Sequence, residues 1–207
     1  MSKTITLAQP TITLALTGAS GMPYAMRLLE TLLAAECRVY LIYSQAAQLV
    51  AAQEMNLTLP AKTAEAHRIF VERTGCRPEQ LSVFAREDWN APIASGTGAT
   101  DAMVVCPCTM GTLAAIANGL SDNLIERAAD VMLKEGRKLI LVPRETPFSA
   151  IHLENMLKLA RMGAVMLAPN PGFYHLPKSV DDLVDFVVAK ILDQLGITHQ
   201  LVEKWGS

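Results

Sequence analysis

Short apolar, β-branched runs alternate along this chain with longer segments whose apolar residues return every three or four positions. The runs Thr11 to Thr17, Arg38 to Tyr43, Ala102 to Cys106, Lys138 to Val142 and Ala164 to Leu167 have the length and composition of buried strands. Helical spacing marks Pro23 to Glu36, Gln45 to Met55, Ala64 to Thr74, Thr109 to Asn118, Asn123 to Glu135 and Ser149 to Met162, and Val180 to Leu195 closes the series. Such alternation predicts an α/β fold, a doubly wound parallel sheet with helices on both faces. Gly75 to Gly98, with its prolines, glycines and Trp89, breaks the rhythm and is expected to form a long functional loop. No repeat or linker interrupts the pattern. A single domain is expected over 1–207, with 1–10 an N-terminal extension and 196–207 a C-terminal tail.

Composition narrows the class. The 207 residues suit one domain with a sizeable core. Hydrophobic residues make up 51% and charged residues 18%, against a typical ~25% charged, so the charge coat is thin and some surface is expected to be covered by other copies of the chain. Lys plus Arg number 18 and Asp plus Glu 20, a net charge of −2, which leaves no global positive field for nucleic acid or acidic lipid. No apolar run approaches the ~18 residues of a membrane span. Pro10 and neighbouring threonines break up the apolar N-terminal stretch, and a glycine loop follows at once, so no secretory leader is expected. Cys37, Cys76, Cys106 and Cys108 are too few and too irregular for a disulfide framework, and His67, His152, His175 and His199 lack metal-ligand spacing. A reducing cytoplasm and no metal site are expected.

In a sheet of this kind ligands bind beyond the carboxyl ends of the strands, so those ends carry the chemistry. The first strand runs into T-G-A-S-G-M-P, Thr17 to Pro23, where Gly18 and Gly21 allow a tight turn and N–H groups at the helix start can face an anion or a polar ring edge. This is not the G-x-G-x-x-G dinucleotide pattern. The second strand ends in Ser44 rather than the acid that binds a ribose, which argues against NAD and leaves a mononucleotide open. The third ends in C-P-C-T-M-G-T, where the hydroxyls of Thr109 and Thr112, Gly111 and the N–H groups of a first helical turn starting at about Thr109 make a phosphate cradle. Cys106 and Cys108 read as packing. Arg127 and Lys134, seven residues apart, share a helix face that either clamps a second phosphate or is simply solvated. The fourth strand ends in P-R-E-T-P-F, where Arg144 would hold an anion and Glu145 carry a proton. After the fifth, P-N-P-G-F-Y-H offers Tyr174 as a phenol donor. Asp181, Asp182 and Asp185 spell a D-D-x-x-D like that of magnesium diphosphate sites, but they follow Ser179 at a helix start, where Ser179 and Asp182 suit a cap.

Taken in order, T-G-A-S-G-M-P-Y, C-P-C-T-M-G-T-L, S-D-N-L-I-E-R-A-A-D-V-M-L-K-E, L-V-P-R-E-T-P-F, H-L-E-N-M and P-G-F-Y-H resemble the UbiX-type flavin prenyltransferases from about Ile12 onwards. The resemblance implies a Rossmann-like, flavodoxin-type three-layer fold, a homo-oligomer (commonly a dodecamer) and FMN. It further implies transfer of the dimethylallyl group of dimethylallyl phosphate to N5 and C6 of reduced FMN without metal, the prenylated FMN serving a separate decarboxylase, as in ubiquinone biosynthesis. Carried over, it places flavin on Gly18, Ala19, Ser20, Ser44, Thr109, Met110, Gly111, Thr112 and Arg144, with Ser20 near flavin N5. Glu145 corresponds to a proton-handling glutamate supported by Glu54. Arg127, Lys134 and Tyr174 would hold the substrate phosphate, and Trp89 would form an aromatic wall beside the dimethylallyl tail.

One position departs from the resemblance. The family usually has arginine where this chain has Lys190, so a paired phosphate contact would become a point charge. Two alternatives stay open: a flavin-dependent decarboxylase of a cysteine-containing or hydroxybenzoate substrate, and a flavin-binding or storage protein without chemistry. P-R-E-T in place of P-x-M-N, with no cysteine after Cys108, counts against a cysteine decarboxylase, and the adjacent Arg144 and Glu145 count against storage.

Overall fold

The computed structural model describes residues 9–203. Residues 1–8 of the expected N-terminal extension and 204–207 of the expected tail therefore lie outside the described residues. Strands β1 (Thr11–Leu16), β2 (Arg38–Tyr43), β3 (Leu81–Phe84), β4 (Ala102–Cys108), β5 (Lys138–Pro143) and β6 (Val165–Met166) form one parallel sheet in the order β3-β2-β1-β4-β5-β6. Helices α1 (Met22–Ala34), α2 (Gln45–Met55), α3 (Thr63–Thr74), α4 (Met110–Ala117), α5 (Leu124–Lys134), α6 (Ala150–Arg161) and α7 (Val180–Leu195) cover it. This is the Rossmann order, and without the short edge strand β3 it becomes the flavodoxin order. The expected doubly wound α/β sheet is therefore the observed one.

The expected long loop from Gly75 to Gly98 needs correction. Leu81–Phe84 pairs with β2 as a sixth strand, Val39 opposite Leu81 and Ile42 opposite Phe84, and three short 3₁₀ turns take up part of the rest. A four-residue strand with only Leu81 buried shows almost no period of its own, and pairing against β2 is what orders it.

Alternate side chains of the strands enter two cores. Leu14, Leu16, Leu41, Cys106 and Val142 meet α1, α2, α3 and α7 on one face, while Ala15, Ile42, Val105, Cys108 and Leu141 meet α4, α5 and α6 on the other. Every residue of β4 is buried, as a central strand covered on both faces requires. Helices α2, α4, α5, α6 and α7 begin at Ser44, Thr109, Asn123, Ser149 and Ser179, each of whose side chains accepts an amide hydrogen of the first turn. Three of these caps, Ser44, Thr109 and Asn123, come together beyond the carboxyl ends of the central strands. Beyond α7, Ile197, Leu201 and Val202 pack against the core, so the tail is anchored as far as Val202.

Among the described residues, no helix is long and apolar enough to cross a membrane. Two of the three D-D-x-x-D acids serve the fold: Ser179 and Asp182 form a reciprocal cap, and Arg27 grips Asp185 with two hydrogen bonds of 2.6 and 3.1 Å.

Candidate functional site

The chain turns from one half of the sheet to the other between β1 and β4, and a crevice opens at their carboxyl ends, where this topology binds its ligands. Thr17 forms its floor. The Thr17 hydroxyl donates to the Pro107 carbonyl at 2.7 Å and accepts from the Thr109 amide at 2.8 Å, stitching β1 to the start of α4. A cavity of about 320 Å³ above it is lined by Gly18, Ser44, Thr109 and Thr112 of the expected residues, and also by Gln45, Ala46, Arg86, Asn123, Ile125 and Glu126.

Hydroxyl and amide arithmetic shows what this crevice can hold. Ser44 Oγ accepts from the Ala47 amide at 3.1 Å, which leaves its own hydrogen to donate. Thr109 Oγ1 accepts from the Thr112 amide at 3.1 Å and donates to Thr112 Oγ1 at 3.0 Å, so the Thr112 hydrogen is left for the cavity. Asn123 Oδ1 accepts from the Ile125 and Glu126 amides, which leaves the Asn123 amide NH₂. The Met110 and Gly111 amides open the first turn of α4, and a Cβ at Gly111 would meet nothing nearer than Thr109 Oγ1 at 4.0 Å. Several neutral donors and one guanidinium around an open turn suit an anionic, polyhydroxylated ligand such as a flavin mononucleotide.

The turn after β1 differs from expectation in one respect. Gly21, at φ +123°, is a position for glycine, but the Gly21 and Met22 amides already donate to the Glu54 carboxylate, at 3.0 and 2.8 Å. Glu54, in the last turn of α2, thus supplies the negative charge that the positive end of α1 favours. The start of α1 is therefore not left to face a ligand; the turn offers Gly18, Ala19 and Ser20 instead. Gly18 is required by packing: a Cβ there would lie 2.3 Å from the Cβ of Ala46.

The other expected residues fall into separate groups. Arg144 and half-buried Glu145 follow β5, and the Arg144 amide extends the strand pairing to the Cys108 carbonyl at 3.2 Å. Tyr174 and Lys190 line a second cavity of about 520 Å³ with Phe186, Asp193 and His199, and the Lys190 ammonium lies 5.7 Å from the Phe186 ring centre and 3.6 Å from Asp193. Arg127 and Lys134 share a face of α5 turned to the Pro92–Gly98 segment: Arg127 donates to the Ala94 carbonyl at 2.9 Å, and Lys134 pairs with Glu135 beside Gly96. Tyr174 and Lys190 belong to the α7 layer and Arg127 and Lys134 to the α5 layer, on opposite faces of the sheet. Trp89 is half exposed on the loop after β3.

Cys106 and Cys108 are fully buried, and burial pushes the Cys108 thiol up to about 12 and raises that of Cys106 still further, so neither supplies a thiolate at neutral pH. Thr17 and Asn123 sit inside motifs quoted from the sequence but carried no stated role there. Arg86 has no signal in the sequence, because the short strand that delivers it shows no period of its own and is ordered only by pairing with β2.

Fold and crevice together define a mononucleotide-binding protein of the flavoprotein class, and the chain belongs to the Flavoprotein family, whose model matches residues 2–192. Its sequence is 57% identical over 195 residues to the flavin prenyltransferase UbiX of Pseudomonas aeruginosa, covering 94% of this chain and 93% of that protein. Among solved structures it resembles AnUbiX in complex with FMN and dimethylallyl pyrophosphate, at TM-score 0.86 and 37% identity over 97% of this chain and 99% of the other. It also resembles a dodecameric FMN-dependent UbiX-like decarboxylase from Escherichia coli, at TM-score 0.83 and 40% identity over 95% of this chain and 100% of that one. Within the flavoproteins, the chain is a member of the UbiX-type flavin prenyltransferase family.

Proposed function

We propose that the protein is a flavin prenyltransferase that binds reduced FMN in the β1–β4 crevice and joins to it the dimethylallyl group of dimethylallyl phosphate. The observation that carries this reading is the convergence of Ser44, Thr112, Asn123 and the first turn of α4 on one crevice in a chain 57% identical to a flavin prenyltransferase. Thr109, Met110, Gly111 and Thr112 hold the FMN phosphate, Gly18, Ala19 and Ser20 border the ring with Ser20 toward N5, and Arg144 adds charge at the neighbouring strand end. Reduced flavin supplies the nucleophilic N5 and C6. The allylic C–O bond breaks, leaving inorganic phosphate and a cationic five-carbon fragment. The π face of Trp89 stabilises the cation, while Tyr174, Lys190, Arg127 and Lys134 stabilise the phosphate without metal. The cation joins N5, which gives up its proton; a proton delivered to the remaining double bond then makes a tertiary cation that C6 attacks, and the proton C6 loses restores the ring. Glu145 carries these protons, and Glu54 holds the turn that carries Ser20.

Lys190 and Tyr174 lie in one helical layer and Arg127 and Lys134 in the other, so one chain does not close all four round a single phosphate. Exposed Phe148, Ile151, Leu153 and Leu157 on and before α6 offer an apolar surface for a second copy. We therefore read the protein as a homo-oligomer, a dodecamer like its Escherichia coli neighbour, with α5 of one copy completing the site of another. The product passes to a prenylated-FMN-dependent decarboxylase. The test is anaerobic incubation with reduced FMN and dimethylallyl phosphate: a flavin heavier by one isoprene unit, with an altered absorption spectrum and one phosphate released, supports the reading. Unchanged flavin refutes it. Release of carbon dioxide from a hydroxybenzoate by the purified protein alone would favour a decarboxylase instead.

A further inference from the structure

Arg86 stands immediately beyond β3, and its backbone carbonyl accepts from the Leu124 amide at 2.7 Å, which ties it to the first turn of α5 and to Asn123. Its side chain lines the β1–β4 crevice. It also lines an adjoining cavity of about 260 Å³ at the ends of β2 and β3, formed with Tyr43, Gln45, Gln48, Thr63 and Phe84. Arg86 and Gln45 are thus the wall between the two spaces. Its only ion pair among the described residues is with Glu87, at 3.8 Å, and the guanidinium makes no hydrogen bond there. The other charged residue of the crevice, Glu126, already accepts from the Asp122 amide at 2.9 Å. The crevice therefore presents one cation, held only by a long ion pair to exposed Glu87, beside the hydroxyls of Thr109 and Thr112, and a guanidinium's planar fork matches two oxygens of a phosphate.

We propose that Arg86 binds the phosphate of FMN and closes the crevice off from the second cavity, so that the site selects a flavin monophosphate over riboflavin and over FAD. This rests on the reading of the crevice as a flavin site and adds the residue that sets which flavin enters. Riboflavin has no phosphate to meet the guanidinium. FAD would have to drive its second phosphate and adenosine through the Arg86–Gln45 wall towards the β2–β3 cavity.

The experiment is flavin-fluorescence titration of the full-length protein with riboflavin, FMN and FAD, for the wild type, Arg86→Lys and Arg86→Ala. A charge-assisted contact of this kind gives a loss of ~10- to 100-fold in FMN affinity for Arg86→Ala. Arg86→Lys should lose less, riboflavin affinity should not change, and FAD should lose less than FMN. Thermal unfolding without flavin should be nearly the same for all three proteins, since the side chain is partly exposed and its one ion pair among the described residues, with exposed Glu87, is a long surface contact. Parallel losses for FMN and riboflavin, or unchanged FMN affinity, would overturn the role of Arg86 while leaving the crevice a flavin site. A wild type that binds FMN no more tightly than riboflavin would remove the phosphate from the crevice, and the underlying reading with it.

Discussion

Replacing Gly18 by alanine tests the geometry of the crevice with a single methyl group. That methyl would sit 2.3 Å from the Ala46 Cβ and 3.2 and 3.3 Å from the Ala46 carbonyl carbon and Cα. Ordinary carbon contacts are ~3.5 to 4.0 Å, so the start of α2 must withdraw from the end of β1 by about 1 Å or more. The backbone angle at Gly18 is not the obstacle, because its φ lies outside the left-handed range in which glycine is needed. The cost is overpacking, ~1 to 3 kcal/mol. For a chain of this size that corresponds to a fall in melting temperature of about 2 to 12 °C. The same displacement carries Ser44 and Gln45 away from the crevice they line. Loss of one hydrogen bond to the ligand, ~0.5 to 1.5 kcal/mol, should weaken FMN binding ~2- to 12-fold. Calorimetric melting and flavin-fluorescence titration read the two effects. The control is Gly18→Ala combined with Ala46→Gly. Removing the Ala46 methyl costs ~0.5 to 1 kcal/mol in helix propensity but abolishes the 2.3 Å clash, so the double variant should melt above Gly18→Ala alone. A Gly18→Ala protein that melts and binds FMN like the wild type, or a double variant no better than the single one, would show that β1 and α2 are not in the contact described.

Other perturbations address the chemistry. Glu145→Gln should retain FMN binding and slow single-turnover formation of prenylated flavin by ~10²- to 10⁴-fold; an unchanged rate would take Glu145 out of proton transfer. Lys190→Ala should raise KM for dimethylallyl phosphate with little change in kcat, and Lys190→Arg should lower it, because a fork replaces a point charge; steady-state kinetics with KM unmoved in both would make Lys190 a surface residue. Iodoacetamide treatment of the native protein near pH 8, followed by peptide mass analysis, should label partly exposed Cys76 and spare buried Cys37, Cys106 and Cys108; early labelling of Cys108 would contradict its burial. Because the Cys108 thiol is raised from 9.0 to about 12 in the fold, its contribution to stability should be complete below pH 9 and decline as pH rises from there towards 12. Urea unfolding across that window measures it, and a Cys108→Ala variant with the same alkaline slope would assign the slope elsewhere.

The sequence by itself determined whatever depends on neighbours a few positions apart. The period of apolar residues specified every described helix and five of the six strands, and Ser179 announced a helix start because a cap acts on amides two or three residues away. The motif order from Thr17 to His175 was specific enough to place the chain in its family. Tertiary structure decided what depends on contacts remote in sequence. Strand β3 exists because β2 offers it a ladder, and with it Arg86 is delivered to the crevice, although no local pattern marked either. Glu54 reaches the start of α1 across 33 residues and takes the amides that the β1 turn would otherwise present. The side chains assigned to one phosphate are likewise divided between two helical layers, because the alternation of β and α units that the sequence displays sends successive helices to faces it does not record. Spacing along the chain fixes which residues share an element, but only the packed sheet fixes which elements share a site.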